Sequence, residues 1–90
     1  MTRERLQTAA DRLRAASDAA TDDAADRLTD LAERLDSHAT ADRGPDHGTM
    51  ARVQHQLTEL RAGVDDDHAA ALIDDAKDAI SDYRSTVDGV

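Results

Sequence analysis

Apolar side chains along this chain recur every three or four positions, and polar or charged residues fill the intervals. That spacing belongs to helices that bury one face. The first stripe is Leu6, Ala9, Ala10, Leu13, Ala16, Ser17 and Ala20. It predicts a helix over about residues 2–19, with Thr2 as N-cap and Arg5, Asp11, Arg12 and Asp18 turned outward or flanking. A second stripe, Ala24, Ala25, Leu28, Leu31, Ala32, Leu35 and Ala39, predicts a helix over about 22–39 with His38 at its edge. Asp22, Asp23 and Asp26 put negative charge in its first turns, where the helix dipole favours it.

Between the second and third stripes lies the one obvious connection, around Asp42-Arg43-Gly44-Pro45-Asp46-His47. Gly44-Pro45 stops a helix, and Asp46 is placed to cap the next one. Met50, Val53, Leu57, Leu60 and Val64 then mark a helix over about 47–62, with Gly63 as its C′ residue. The last stripe, Ala69, Leu72, Ile73, Ala76, Ile80, Tyr83 and Val87, predicts a helix over about 66–86. Asp65, Asp66 and Asp67 crowd its start, while Lys77 and Arg84 lie further along.

No glycine or proline separates the first two helices, so one continuous helix from Thr2 to Ala39 is the alternative. An offset of 44 positions argues for a break. At that offset Leu6 meets Met50, Leu13 meets Leu57, Ala16 meets Leu60, and Asp22-Asp23 meets Asp66-Asp67. Ala25, Leu28 and Ala32 meet Ala69, Leu72 and Ala76. Gly63 falls on Ala19, so the first helix is expected to stop there. The sequence therefore reads as all-α, a four-helix bundle of two pseudo-repeated antiparallel helical hairpins. Residues 1–90 form a single domain: hairpin repeat 1 over 1–40, a linker over 41–47, and hairpin repeat 2 over 48–90. The alanine faces of helices 1 and 2 are expected to pack against the larger side chains of helices 3 and 4.

Charge alters the picture more than composition does. The net charge is −9, from seventeen Asp and three Glu against ten Arg and one Lys. Such a surface repels itself in dilute buffer and stays dispersed in concentrated salt, so adaptation to high salt is expected. Disorder, the other reading of an acidic chain with almost no aromatics, is at odds with the regular helical periodicity. The same acidity argues against nucleic-acid binding, which needs a basic face. No cysteine is present for a disulfide or a thiolate metal site. No apolar run approaches a membrane span, and the first residues lack a secretory apolar stretch, so a cytoplasmic location is expected. Only seventeen side chains are large and apolar. So small a core suggests a homodimer or another protein as partner.

The linker Ala41-Asp42-Arg43-Gly44-Pro45-Asp46-His47-Gly48 and the closing Ala79-Ile80-Ser81-Asp82-Tyr83-Arg84, then Thr86-Val87-Asp88-Gly89-Val90, resemble a family of small uncharacterised haloarchaeal proteins. The resemblance covers nearly the whole chain. It implies a cytoplasm rich in potassium, and it carries no activity, ligand or catalytic residue.

Candidate chemistry is sparse. His38 and His47 flank the linker with Asp42 and Asp46 nearby, and two imidazoles with a carboxylate can hold Zn²⁺ or a similar ion. The spacing matches no established metal motif. His55 lies opposite the apolar seam, and His68 falls in a first helical turn; both read as surface residues. The Asp pairs and triplet lack the spacing of an EF-hand and read as helix-start residues on a hydrated surface. No nucleophile setting or phosphate loop occurs, so neither an enzyme nor a cofactor is expected. The expected function is a non-enzymatic interaction or self-association module, with metal or small-ligand binding at His38 and His47 as the alternative. Its candidate contacts are the Leu28, Leu31 and Leu35 face, Arg43 in the linker, and Tyr83. Arg43 is also expected to pair with Asp46.

Overall fold

The structure, a computed structural model, describes residues 4–20 and 22–86. Among them are four helices: α1 (Glu4–Ala19), α2 (Asp22–Thr40), α3 (His47–Ala62) and α4 (Asp67–Arg84). The expected N-cap Thr2 and the stripe residue Val87 lie outside the described residues. The break after Ala19 falls where the Asp-Asp alignment puts it, and the continuous helix is not formed. Two elements fix this turn without glycine or proline. The Ala20 amide bonds back to Ser17 O at 3.2 Å, tightening the last turn. Across the turn, the Ser17 hydroxyl donates to Ala25 O at 3.0 Å and meets Thr29 Oγ1 at 2.9 Å.

Asp46 caps α3 through Oδ1, which accepts from the Thr49 amide at 2.8 Å. Asp66 caps α4 in the same way, accepting from Ala69 N at 2.9 Å. Each cap satisfies a donor the helix itself leaves unpaired. Gly63 does follow α3, but its φ is −96°, so it lies in the right-handed region. A Cβ there would stand 3.7 Å from Leu60 O, an ordinary contact. The turn therefore does not depend on glycine's left-handed freedom, contrary to the expected C′ role. α4 ends at Arg84, two residues before the expected boundary. Thr86 N donates to Tyr83 O, and the Ser85 and Thr86 hydroxyls bond to Asp82 O and Tyr83 O.

The cross-links within each hairpin run in antiparallel order. Arg14 pairs with Asp36 between α1 and α2. Arg61 pairs with Asp74 at 2.7 Å between α3 and α4, and Gln54 reaches Lys77 O and Ser81 Oγ on α4. Ala19, Ala20 and Ala24 share a surface pocket with Gly63, Val64 and Asp66, so both hairpin turns lie at the same end of the bundle.

The core follows from the stripes. Each helix contributes two large, fully buried side chains seven residues apart: Leu6 and Leu13, Leu28 and Leu35, Met50 and Leu57, Ile73 and Ile80. Seven residues is two helical turns, so each helix presents one seam to the centre. The antiparallel order stacks these eight in two layers. Leu13, Leu28, Leu57 and Ile73 lie toward the turns, and Leu6, Leu35, Met50 and Ile80 toward the linker. No polar or charged residue is buried among the described residues. The bundle measures 37 × 21 × 17 Å with a radius of gyration of 12.2 Å, the size expected of a compact chain this long.

The helices do not pack evenly. α1 lies along both α2 and α4, and α4 also receives α3, whereas α2 and α3 do not pack along one another. The alanines of α1 (Ala9, Ala10 and Ala16, all fully buried) admit two neighbours at close range. The expected pairing of both alanine-rich helices with α3 and α4 is thus met by α1 against α4 but not by α2 against α3. Arg27 and Arg34 on α2 and Gln56 and Glu59 on α3 line the space left between these two helices. Among the described residues no helix is long and apolar enough to cross a membrane.

Candidate functional site

The open edge between α2 and α3 forms a groove of about 290 Å³, lined by Arg27, Asp30, Leu31, Arg34, Gln56, Glu59 and Leu60. It continues toward the turns past Asp23, Ala24 and Gly63. Its floor is apolar. Leu31 is nearly buried at 5% exposure, while Leu60 is half-buried against the core. Its α2 wall is charged. Asp23, Arg27, Asp30 and Arg34 are all exposed, and spacings of four, three and four residues hold them on one narrow flank. The signs alternate along that flank. No side chain of the four makes a hydrogen bond or ion pair among the described residues, so two arginines stand there without a carboxylate partner on a chain of net charge −9.

Sequence reasoning had Leu28, Leu31 and Leu35 as an open interaction face. The structure places them in the core at 0%, 5% and 0% exposure, on the helix that packs along α1. Tyr83 is also a core residue, 4% exposed, and its hydroxyl donates to Pro45 O at 3.0 Å. Pro45 is itself buried, so this bond ties the linker corner to the end of α4. Arg43 is exposed, and its expected ion pair with Asp46 is not formed, since the Asp46 carboxylate turns to the Thr49 amide. That hydrogen bond holds the Asp46 carboxyl below its ordinary range, because it favours the ionised form.

The structure does not gather His38, His47, Asp42 and Asp46 into a metal site. Among the described residues no three histidines or carboxylates stand close enough to share an ion. His47 is instead drawn into a polar network joining α3 to α4. Its Nδ1 accepts from Arg84 Nε at 3.3 Å, and Arg84 Nη1 donates to Gln54 Oε1 at 2.6 Å. A shallow cleft borders this network at His47, Ser81, Arg84 and Ser85. His55 lies exposed beside Glu59, its Nε2 3.6 Å from Oε1, and His68 is exposed as expected.

The groove residues that sequence reasoning missed are Arg27, Arg34, Gln56 and Leu60. Their signal was present in the alternation of Asp23, Arg27, Asp30 and Arg34. In one dimension it is masked by the many other charges on the chain.

An all-α bundle with an apolar core, an open helix–helix edge and a charge-alternating wall defines a class of small helical scaffold. The chain belongs to a family of unknown function (DUF7553), whose family model matches residues 1–86. No curated protein and no solved structure matches it.

Proposed function

We propose that the protein is a non-enzymatic interaction module, adapted to high salt, that docks a protein partner in the α2–α3 groove. The observation that carries this reading is the groove itself. A chain with a small core leaves an edge open along α2 and α3, floors it with Leu31 and Leu60, and sets on its wall two arginines that have no carboxylate partner among the described residues. Apolar floors with charged rims are what helical partners bind. The acidic surface supports the high-salt element, since a net charge of −9 keeps the folded chain dispersed where screening is strong. Both features suit the salt-rich haloarchaeal cytoplasm that the linker and tail sequences imply. The two hairpins read as diverged copies of one another. Positions 44 apart, such as Leu6 with Met50, Leu13 with Leu57 and Leu28 with Leu72, are buried in both. Divergence then lies at the rim, where the groove forms.

A photo-cross-linking side chain in place of Gln56, inside the groove, tests this reading against the same group in place of Ala71 on the exposed side of α4. The expected result is a discrete cross-linked species from position 56 and none from position 71 in cells. No species from position 56, or the same species from both positions, overturns it.

A further inference from the structure

We infer that the occupant of the groove is a second copy of this chain, with the two α2 helices antiparallel about a two-fold axis midway between Leu28 and Thr29. This rests on the reading of the groove as a docking surface and names its partner. The argument is charge register. Asp23, Arg27, Asp30 and Arg34 lie exposed on one flank in the order minus, plus, minus, plus. A two-fold axis between positions 28 and 29 sets position 23 against position 34 of the other copy, and position 27 against position 30. Each arginine then meets an aspartate, and all four charges of each flank are matched.

Neighbouring arrangements do not achieve this. In a parallel, in-register pairing every charge faces its own like. An antiparallel axis moved to between Asp30 and Leu31 sets Arg27 against Arg34 and Asp30 against an apolar residue. Other shifts match only part of the array. Like charges held together in a contact discriminate strongly against a wrong register. The flank spans eleven residues, roughly 16 Å of helix, long enough for a paired helix contact. Leu60, half-buried, lies beside it and supplies apolar surface to the contact. An antiparallel pair also sets each helix dipole against its opposite. Dimers with this geometry are closed, because a two-fold contact uses the same patch on both copies.

The test uses the full chain in concentrated KCl, with light scattering to give the mass. The 9.7 kDa chain is expected to double in mass as protein concentration rises. A double variant Arg27→Asp with Arg34→Asp, and another Asp23→Arg with Asp30→Arg, are each expected to associate at least about tenfold more weakly, because each presents one sign to itself. Mixed in equal amounts they are expected to form a heterodimer as readily as the parent forms its dimer. All four positions are exposed, and unchanged helical circular dichroism checks that each variant is folded. The chain has no cysteine, so register is read with two single variants, Asp23→Cys and Arg34→Cys. These are expected to form a disulfide with each other and not with themselves. A wild type that stays monomeric at millimolar concentration overturns the inference, as does a dimer indifferent to the charge swaps. Asp23→Cys chains that cross-link to themselves also overturn it. A groove cross-link from position 56 to a protein of different mass, with a monomeric pure chain, overturns this inference while leaving the docking reading intact.

Discussion

Replacing Tyr83 with Phe removes one oxygen and leaves the ring in the core. In the folded protein that oxygen donates to Pro45 O at 3.0 Å, in a place where both residues are buried. Losing the net value of the bond costs about 1 kcal/mol. The Pro45 carbonyl then loses its donor inside the fold, and a stranded buried acceptor adds roughly another 1 kcal/mol. The sum, about 2 kcal/mol, is large for a small domain, where each 1 kcal/mol moves the melting temperature by about 4–8 °C. Tyr83→Phe should therefore melt about 10 °C below the parent or lower, as followed by far-ultraviolet circular dichroism at fixed KCl. Ser85→Ala is the control. Its hydroxyl bonds to Asp82 O at the exposed end of α4, and its loss should stay within about 0.5 kcal/mol. If Tyr83→Phe also stays within about 0.5 kcal/mol of the parent, water reaches Pro45 and the linker is not pinned to α4.

Two further outcomes follow from charge. The melting temperature should climb with KCl up to about 1 M, where screening shortens to about 3 Å, because folding gathers a net charge of −9 within a 12.2 Å radius of gyration; melts that are flat across that range would refute the argument. Asp46 should make stability depend on pH in a definite direction. Its carboxyl titrates below the usual 3.8 in the fold, so its contribution is present above that value and lost as pH falls through the lower folded value. Asp46→Asn keeps an acceptor for the Thr49 amide without the charge. The gap in melting temperature between parent and variant should hold steady above about pH 5 and close toward about pH 2, and a gap that does not change with pH would be inconsistent with it.

The helices were legible because each needs only its own periodicity. Leu6 with Leu13 and Ile73 with Ile80 announce a buried seam whatever packs against it. The break after Ala19 was also legible, although no glycine or proline marks it, because the Asp-Asp pairs supply a frame for comparison. Which helices become neighbours was not. That depends on how closely two faces can approach, which is a property of both partners at once. Small side chains on α1 let it serve α2 and α4 together, and this leaves α2 and α3 apart. The face of Leu28, Leu31 and Leu35 was rightly read as apolar, but the sequence does not say what covers it. Border residues are the hardest to read. Arg27, Arg34 and Leu60 sit between the buried and exposed arcs, and a rule that sorts positions into inside and outside passes over them. The linker set failed for a different reason. Nearness in sequence says nothing of direction, and Asp46 is committed to its cap while His47 turns to Arg84.

The alternating flank of α2 makes most sense as a device for register rather than for affinity. Two copies side by side, with centres about 20 Å apart, carry −9 each. Unscreened in water their repulsion is about 17 kcal/mol, and a Debye length of about 10 Å at 0.1 M salt reduces it to about 2 kcal/mol. Four exposed ion pairs at roughly 0.5 kcal/mol each do no more than offset that. At about 1 M salt the long-range repulsion is gone, while apolar contact at the half-buried Leu60 is undiminished. Association of this chain should thus strengthen with salt, opposite to complexes held by charge attraction. What the arginines add is a penalty on every misaligned contact, since a shifted register sets like charges at close range where screening protects least. A chain this acidic is kept dispersed by its aspartates, and in the proposed dimer the two arginines on the groove wall would be what lets that repulsive surface select one orientation of itself.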